Sequence, residues 1–428
     1  MKSINNFIEN KIQLILSIFI IIQPILDAIT GITLNVFKTS IPFAPGVRCI
    51  FMLFLMYYLF FINKEKKYIK KTIPIILYTI IFITYTFIKK RQFISLEMPN
   101  FLNTFYLPVL LIGLLNIFEH KKIKLNLKLI VLTYSIYLIL TIVPNITNTA
   151  FQSYEYSKVG KVGWFPLANV IGNSLSILSP LIIYFIINKE KSYLLKTLII
   201  ISTLYVFVSI GTKVPVLALG ICILINFIYF FIKWIKEKQK TKVITTSIIS
   251  LTAVIAIIFL IPKTSFYKNI QIHKDFLGVN NFTEIITNVD MIDHFVFSQR
   301  LTFLKTIHNS NKPANIETKL IGLGHVKKYN QDISTKTIEI DYLDVIYENG
   351  ILGSLAFYYA LIPIFIEAIK KLKEKTLINV EYKISITLIL LITAFAGHML
   401  TSAAISIYVA LILVFITKGG LNEEIKSR

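Results

Sequence analysis

Charge is scarce in this chain: Asp, Glu, Lys and Arg make up 16% of the 428 residues, against 55% hydrophobic ones and a mean hydropathy of +0.69. That leaves too little polar surface to clothe a soluble particle of this size, so a bilayer must supply the solvent. Cysteine is almost absent. Cys49 and Cys222 both fall inside apolar runs, which excludes a disulfide framework and leaves two small buried hydrophobes. The six histidines form no His-x-x-x-His pair and no Cys/His cluster, so no metal site of ordinary spacing is expected. A Walker loop and a dinucleotide fingerprint are also missing, and Gly322-Leu323-Gly324 is too short to cradle a phosphate. No cofactor is therefore expected, and soluble nucleotide sugars and ATP are poor direct substrates. Internal repeats, low-complexity tracts and Pro/Ser-rich linkers are lacking too, which argues for one membrane domain with one insertion.

Acidic residues are outnumbered by basic ones, 23 to 45, for a formal charge of +22. In a soluble protein this excess would suggest nucleic acid, but here the basic residues sit in short clusters between apolar runs. That pattern marks cytoplasmic loops, and no nucleic-acid partner is expected.

The apolar runs do not alternate as barrel strands would, and they are long enough to cross a hydrocarbon core as helices. The fold class is therefore all-α, a polytopic transmembrane helical bundle of about twelve spans. The spans fall near 12–30, 43–62, 72–88, 101–118, 128–144, 167–187, 195–211, 214–232, 243–262, 345–369, 384–399 and 402–417. The first run, Ile12 to Ile29, carries Pro24 and Asp27 and lacks a small-x-small cleavage site, so it reads as a retained helix. Ser385 to Thr417 is almost continuously apolar, and Gly397, His398 and Thr401 offer the break that would divide it into two spans.

With the N-terminus cytoplasmic and sides alternating, 27 Lys and Arg fall inside and 17 outside, ten of the latter in one long loop between spans 9 and 10. Long loops translocate largely regardless of charge, so the distribution places both termini in the cytoplasm. The chain then divides into 1–262 with spans 1–9, an extracellular loop over 263–344, and 345–428 with spans 10–12 and a cytoplasmic tail. Within the loop, Phe297, Leu301, Leu304 and His308 recur at helical spacing. They fit either an amphipathic helix on the outer membrane surface or ordinary loop packing.

Three outside-facing places concentrate polar residues where hydrocarbon makes them costly. The turn Ser209-Ile210-Gly211-Thr212-Lys213 leaves Lys213 at the bilayer edge, either snorkelling or pointed into a site. Arg300, after Ser298 and Gln299, carries a guanidinium able to grip phosphate oxygens through parallel hydrogen bonds, unless it is a solvated loop residue. Between Glu339 and Gly350, Asp341, Asp344 and Glu348 share one helical face. Stacked carboxylates would repel one another unless cations or a reaction use them.

In order and spacing, these motifs resemble those of the O-antigen ligase and O-antigen polymerase (Wzy-like) family. The resemblance rests on the Gly211-Thr212-Lys213 turn, a long outside loop with Arg300, Ile321-Gly322-Leu323-Gly324, and Tyr342-Leu343 followed by Glu348-Asn349-Gly350-Ile351-Leu352-Gly353. It implies a glycosyltransferase-type reaction on the outer face of the bacterial cytoplasmic membrane, with an undecaprenyl-diphosphate-linked glycan as donor and membrane lipid around it. A flippase and a chain-length regulator are partners the same resemblance leaves open. Lys213 and Arg300 match the family's cations and would bind the diphosphate. Arg300, Asp341 and Glu339 are the catalytic candidates, Asp341 first as the base that takes the acceptor hydroxyl's proton.

Where many members carry a His-Asn pair before the Tyr-Leu, this chain reads Glu339-Ile340. That departure and an Ile-, Lys- and Asn-rich composition of AT-rich bacterial type favour a polymerase of lipid-linked repeat units over a ligase of finished glycans. A flippase or secondary transporter is the alternative with the same span count, but it would show interrupted helices and midplane charges in both halves. A scaffold subunit would need no cooperation among Lys213, Arg300 and Asp341.

Overall fold

The computed structural model describes residues 2–39, 43–154, 158–241, 244, 261–279, 281–325, 338–374 and 376–422. Nine helices among these residues are long and apolar enough to cross a membrane, and two shorter apolar helices, Tyr193–Ser209 and Ala403–Lys418, join them. The chain is a polytopic helical bundle, the architecture its composition demands, because in hydrocarbon each backbone N–H and C=O must be paired within its own helix. The expected span at 243–262 lies almost wholly outside the described residues. The final apolar stretch is two helices, Leu377–Phe395 and Ala403–Lys418. They are interrupted at 396–402, where Gly397 and His398 both take positive φ.

Burial sorts the helices. The apolar windows of Arg91–Lys121 and Ala168–Asn188 are 89% and 83% buried, against 22% for Lys213–Lys236 and 28% for Lys66–Lys89. Ala403–Lys418 is buried continuously from Ala403 to Thr417. These three central helices are largely enclosed by other helices, while the outer ones turn residues such as Leu53, Leu77 and Leu217 outward. At one end of the bundle Glu119 gathers Lys67, Lys418 and the Tyr68 hydroxyl. The opposite end holds the turns and short helices that build the site described below.

The expected amphipathic segment is the helix Arg300–Asn311. Its buried side is Ile307, which joins Leu323, Ile338 and Ile340 in a small satellite core with Leu304 packed against it, while Leu301 is 40% exposed. Packing within the loop accounts for the apolar spacing.

One polar cluster sits in the middle of the apolar mass. Arg48 donates from Nη2 to Asp27 Oδ1 at 2.6 Å and from Nε to Gln23 Oε1 at 3.0 Å. Tyr137 donates to Asp27 Oδ2 at 3.4 Å and accepts from the Tyr408 hydroxyl at 3.2 Å. Four helices are thereby pinned in register. A buried pair contributes little over an apolar pair of equal volume, but removing one partner strands a charge and costs about 3–5 kcal/mol. Asp27→Leu alone should therefore lower the thermal midpoint of the detergent-solubilised protein sharply, and Asp27→Leu with Arg48→Leu should recover most of the loss. Fluorescence-detected size-exclusion thermostability reads both.

Candidate functional site

The site is assembled from four chain breaks at one end of the bundle. The first is the turn between Tyr193–Ser209 and Lys213–Lys236. Gly211 takes φ +78°, and a Cβ there would lie 2.5 Å from the Val159 carbonyl oxygen, so only glycine fits the turn against the 158–161 segment. Asn269 clasps the two segments together: its Nδ2 donates to Val159 O (2.6 Å) and Gly211 O (2.9 Å), and its Oδ1 accepts from Val159 N at 2.7 Å. Lys213 then opens its helix and donates from Nζ to the Phe295 carbonyl, with the ammonium 4.2 Å from the centroid of the Phe295 ring.

The second break leads into Arg300. Ser298 and Gln299 are both left-handed, at φ 54° and 68°, a costly pair for residues with side chains. Asp293 holds them there. Its buried carboxylate accepts from Leu301 N and Thr302 N, each at 2.9 Å, and from the Thr302 hydroxyl at 2.7 Å, capping the helix that Arg300 begins.

Arg300 itself is 8% exposed. Its Nη1 donates to Phe395 O at 2.9 Å and Phe297 O at 3.3 Å, and its Nη2 to Ala396 O at 3.0 Å and Glu339 Oε2 at 2.8 Å. The guanidinium thus satisfies the orphan carbonyls at the C-terminus of Leu377–Phe395, where the helix dipole favours a cation. Nε is buried and has no partner among the described groups.

The third and fourth breaks meet each other. Gly397, at φ +68°, lets the 396–402 segment lie against residue 339; a Cβ on it would sit 2.3 Å from Glu339 O. Asp341 is completely buried and accepts from His398 N (2.5 Å), Met399 N (2.6 Å), Leu400 N (2.6 Å) and the Thr401 hydroxyl (3.2 Å). Glu339, also left-handed at φ 60°, keeps part of its side chain accessible beside Arg300.

The predicted carboxylate stack is therefore resolved without a shared cation. Asp341 is held by the 398–401 segment, Asp344 accepts from Ile338 N at 3.0 Å, and Glu348 contacts His325 Nδ1 at 3.1 Å. Among the described residues no group of three His, Cys, Asp or Glu could hold a metal ion. The two motifs flanking the 326–337 segment also come together: Leu323 N and Gly324 N donate to Tyr347 O and Glu348 O at 2.8 and 3.0 Å. Tyr78 donates to both Ile321 O and Asn349 O at 2.9 Å.

Of the residues singled out in the sequence, Arg300 and Glu339 pair directly, Asp341 holds the 396–402 segment that Arg300 also contacts, and Lys213 lies within electrostatic reach of Arg300. Sequence reasoning missed Asp293, Asn269, Lys158 and His273. Lys158, on the segment clasped by Asn269, lies with Arg300 in the electrostatic neighbourhood of Lys213. Its only sequence signal was a basic residue in a short outside loop, which served for topology alone. The resulting concentration of positive charge is suited to a multiply charged anion such as a diphosphate.

His273 reports on that field. Burial, then Lys213, Lys158 and His294, push its imidazole down to about 4 from the ordinary 6.5. The unfolded chain takes up this proton below pH 6.5, whereas the folded protein refuses it until about pH 4. The stability His273 contributes is thus complete above 6.5 and is lost as pH falls through that window. His273→Gln should flatten the decline in thermal midpoint over this range, measured by scanning fluorimetry in detergent.

Comparison with curated proteins and with solved structures returns no match. The family model described as O-antigen ligase like membrane protein matches residues 9–284 and 280–418, which covers nearly the whole chain and every residue of the site. The chain belongs to the O-antigen ligase like membrane proteins.

Proposed function

We propose that this protein polymerises lipid-linked oligosaccharide repeat units at the outer face of a bacterial cytoplasmic membrane, with both termini in the cytoplasm. The donor is a glycan on undecaprenyl diphosphate, and a flippase delivering it and a regulator of chain length are the expected partners. The observation that carries this reading is Arg300: an almost completely buried guanidinium, ion-paired to Glu339, within a patch shared with Lys213 and Lys158.

In the proposed reaction the bond between the donor's anomeric carbon and the diphosphate oxygen breaks, and its electron pair leaves with the lipid diphosphate. The acceptor hydroxyl oxygen forms the new bond to that carbon and surrenders its proton to a carboxylate. Negative charge grows on the leaving group, and fixed cations stabilise it at no reorganisation cost. The diphosphate competes with Glu339 for Nη2 of Arg300, so its arrival releases Glu339 as the base.

Asp341, the first choice from sequence, is reassigned. Both its oxygens are occupied by backbone N–H groups and a hydroxyl, so it fixes the 396–402 segment that presents its carbonyl to Arg300 and leaves the proton to Glu339. The energy for the reaction resides in the donor's own phosphoester bond. Cargo transport across the bundle would give no role to a partly exposed carboxylate paired with a buried arginine at one end.

Removing one such charge-stabilising donor costs on the order of 10²–10³ in rate. Arg300→Ala and Glu339→Gln, expressed at wild-type levels in a deletion strain, should therefore lack long surface glycan and accumulate single repeat units on the lipid carrier. Arg300→Lys should not restore chain length, because an ammonium cannot span Phe395, Ala396 and Glu339 together. Long chains stranded on the carrier would instead assign a ligase, and unchanged surface glycan in the deletion strain would count against both.

A further inference from the structure

A cavity of about 440 Å³ with a mixed polar and apolar lining opens beside the cation patch, on the other side of the 209–213 turn. Its volume is within the range of small-ligand sites, roughly 300–1,000 Å³. Ser209 at the start of the turn lines the cavity, whereas Lys213 at its end belongs to the patch. The 158–161 segment is divided in the same way, with Lys158 on the patch and Lys161 on the cavity. This segment is fixed between them, because Lys161 N donates to Ser209 O at 2.9 Å and Ser153 Oγ to Ile210 O at 2.7 Å.

The cavity contains a feature that packing does not explain. Asn145, at the end of Leu127–Ile146, is 7% exposed and lines it, yet neither its Oδ1 nor its Nδ2 has a partner among the described residues. A buried amide left without hydrogen bonds loses its hydration with nothing in return, so a ligand that pairs with it is favoured. An amide offers donors and an acceptor at once, which suits hydroxyl groups. Around it stand Gln152, Ser209 and Thr264, the half-exposed Tyr205, and two cations, Lys161 and Lys263.

We propose that this cavity binds a hydroxyl-rich, negatively charged group, either an acidic sugar of the glycan chain or the glycerophosphate of a lipid headgroup. The assignment of the sugar to the glycan rests on the proposed transfer reaction; the chemistry of the cavity does not. A sugar seated here would hold the chain one turn away from Lys213, so the site would select repeat units by an acidic residue next to the reacting end.

The test uses the full-length protein in phosphatidylcholine nanodiscs, with saturation-transfer NMR of three probes: glucuronate, glucose and glycerol 1-phosphate. Transfer to glucuronate or glycerol 1-phosphate should fall roughly five-fold or more in Asn145→Leu, since one lost hydrogen bond is worth about that factor. It should fall also in Lys161→Ala with Lys263→Ala. Asn145→Leu removes an unpaired buried amide, so an unchanged or higher thermal midpoint is expected and separates loss of binding from loss of fold. Binding of glucuronate alone identifies the glycan as source, and glycerol 1-phosphate alone identifies the lipid. If both bind, displacement of glucuronate on adding phosphatidylglycerol to the discs assigns the lipid, and its retention assigns the glycan. Arg300→Ala should leave probe binding intact, so failure of the transfer reading does not touch this result. Probe signals indifferent to Asn145, or glucose bound as well as glucuronate, would overturn the proposal.

Discussion

Arg300 sits in the carbonyl end of a membrane helix, and most of the site's geometry depends on that contact. Once Leu377–Phe395 stops, its last carbonyls have no intrahelical partner, and in an apolar bundle each would cost free energy if left unpaired. The guanidinium satisfies Phe395 and Ala396 together and turns its remaining edge toward Glu339. A cation placed there is stabilised by the helix dipole and by hydrogen bonds before any substrate arrives. Asp293 fixes its backbone from one side, and Asp341 fixes the 396–402 segment from the other.

This division of labour explains why an acidic-poor chain buries so many carboxylates at one end. Three backbone N–H groups converge on Asp341, which offsets much of the desolvation that an isolated buried charge would incur. Asp293 achieves the same with a helix N-terminus. Both carboxylates accept from backbone N–H groups rather than pairing with Arg300 or Lys213. Glu339 is the exception, since it pairs with Arg300 and remains partly accessible. The contrast gives it a different role from its buried neighbours.

Much of the bundle was legible because hydrocarbon imposes a simple code of long apolar runs and basic clusters. The break at Gly397-His398 was legible for the same reason, as the one polar interruption in a run too long for a single span. Helical spacing correctly put Asp341, Asp344 and Glu348 at a helix start, but spacing reports only which residues share a face. Their partners come from 398–401, from Ile338 and from His325, and neither the first nor the last is near its carboxylate in sequence. The same limit hid Asn269, whose clasp on Val159 and Gly211 joins positions more than fifty residues away. Asp293 was invisible because its cap reaches eight residues forward through a left-handed pair that no propensity favours. Arg300 and Lys213 were found because a charge at a membrane edge is conspicuous wherever the chain then folds.

The family assignment rests on a match along nearly the whole chain, and the proposed chemistry rests on the pairing of one arginine with one glutamate. The most direct test is the purified protein in liposomes with a synthetic undecaprenyl-diphosphate-linked repeat unit, following free lipid diphosphate and glycan length in the same reaction. The account predicts one lipid diphosphate released for each linkage formed, with both products absent for Glu339→Gln although the donor still binds. Full product formation by Glu339→Gln, or movement of the donor between leaflets without release of lipid diphosphate, would contradict it.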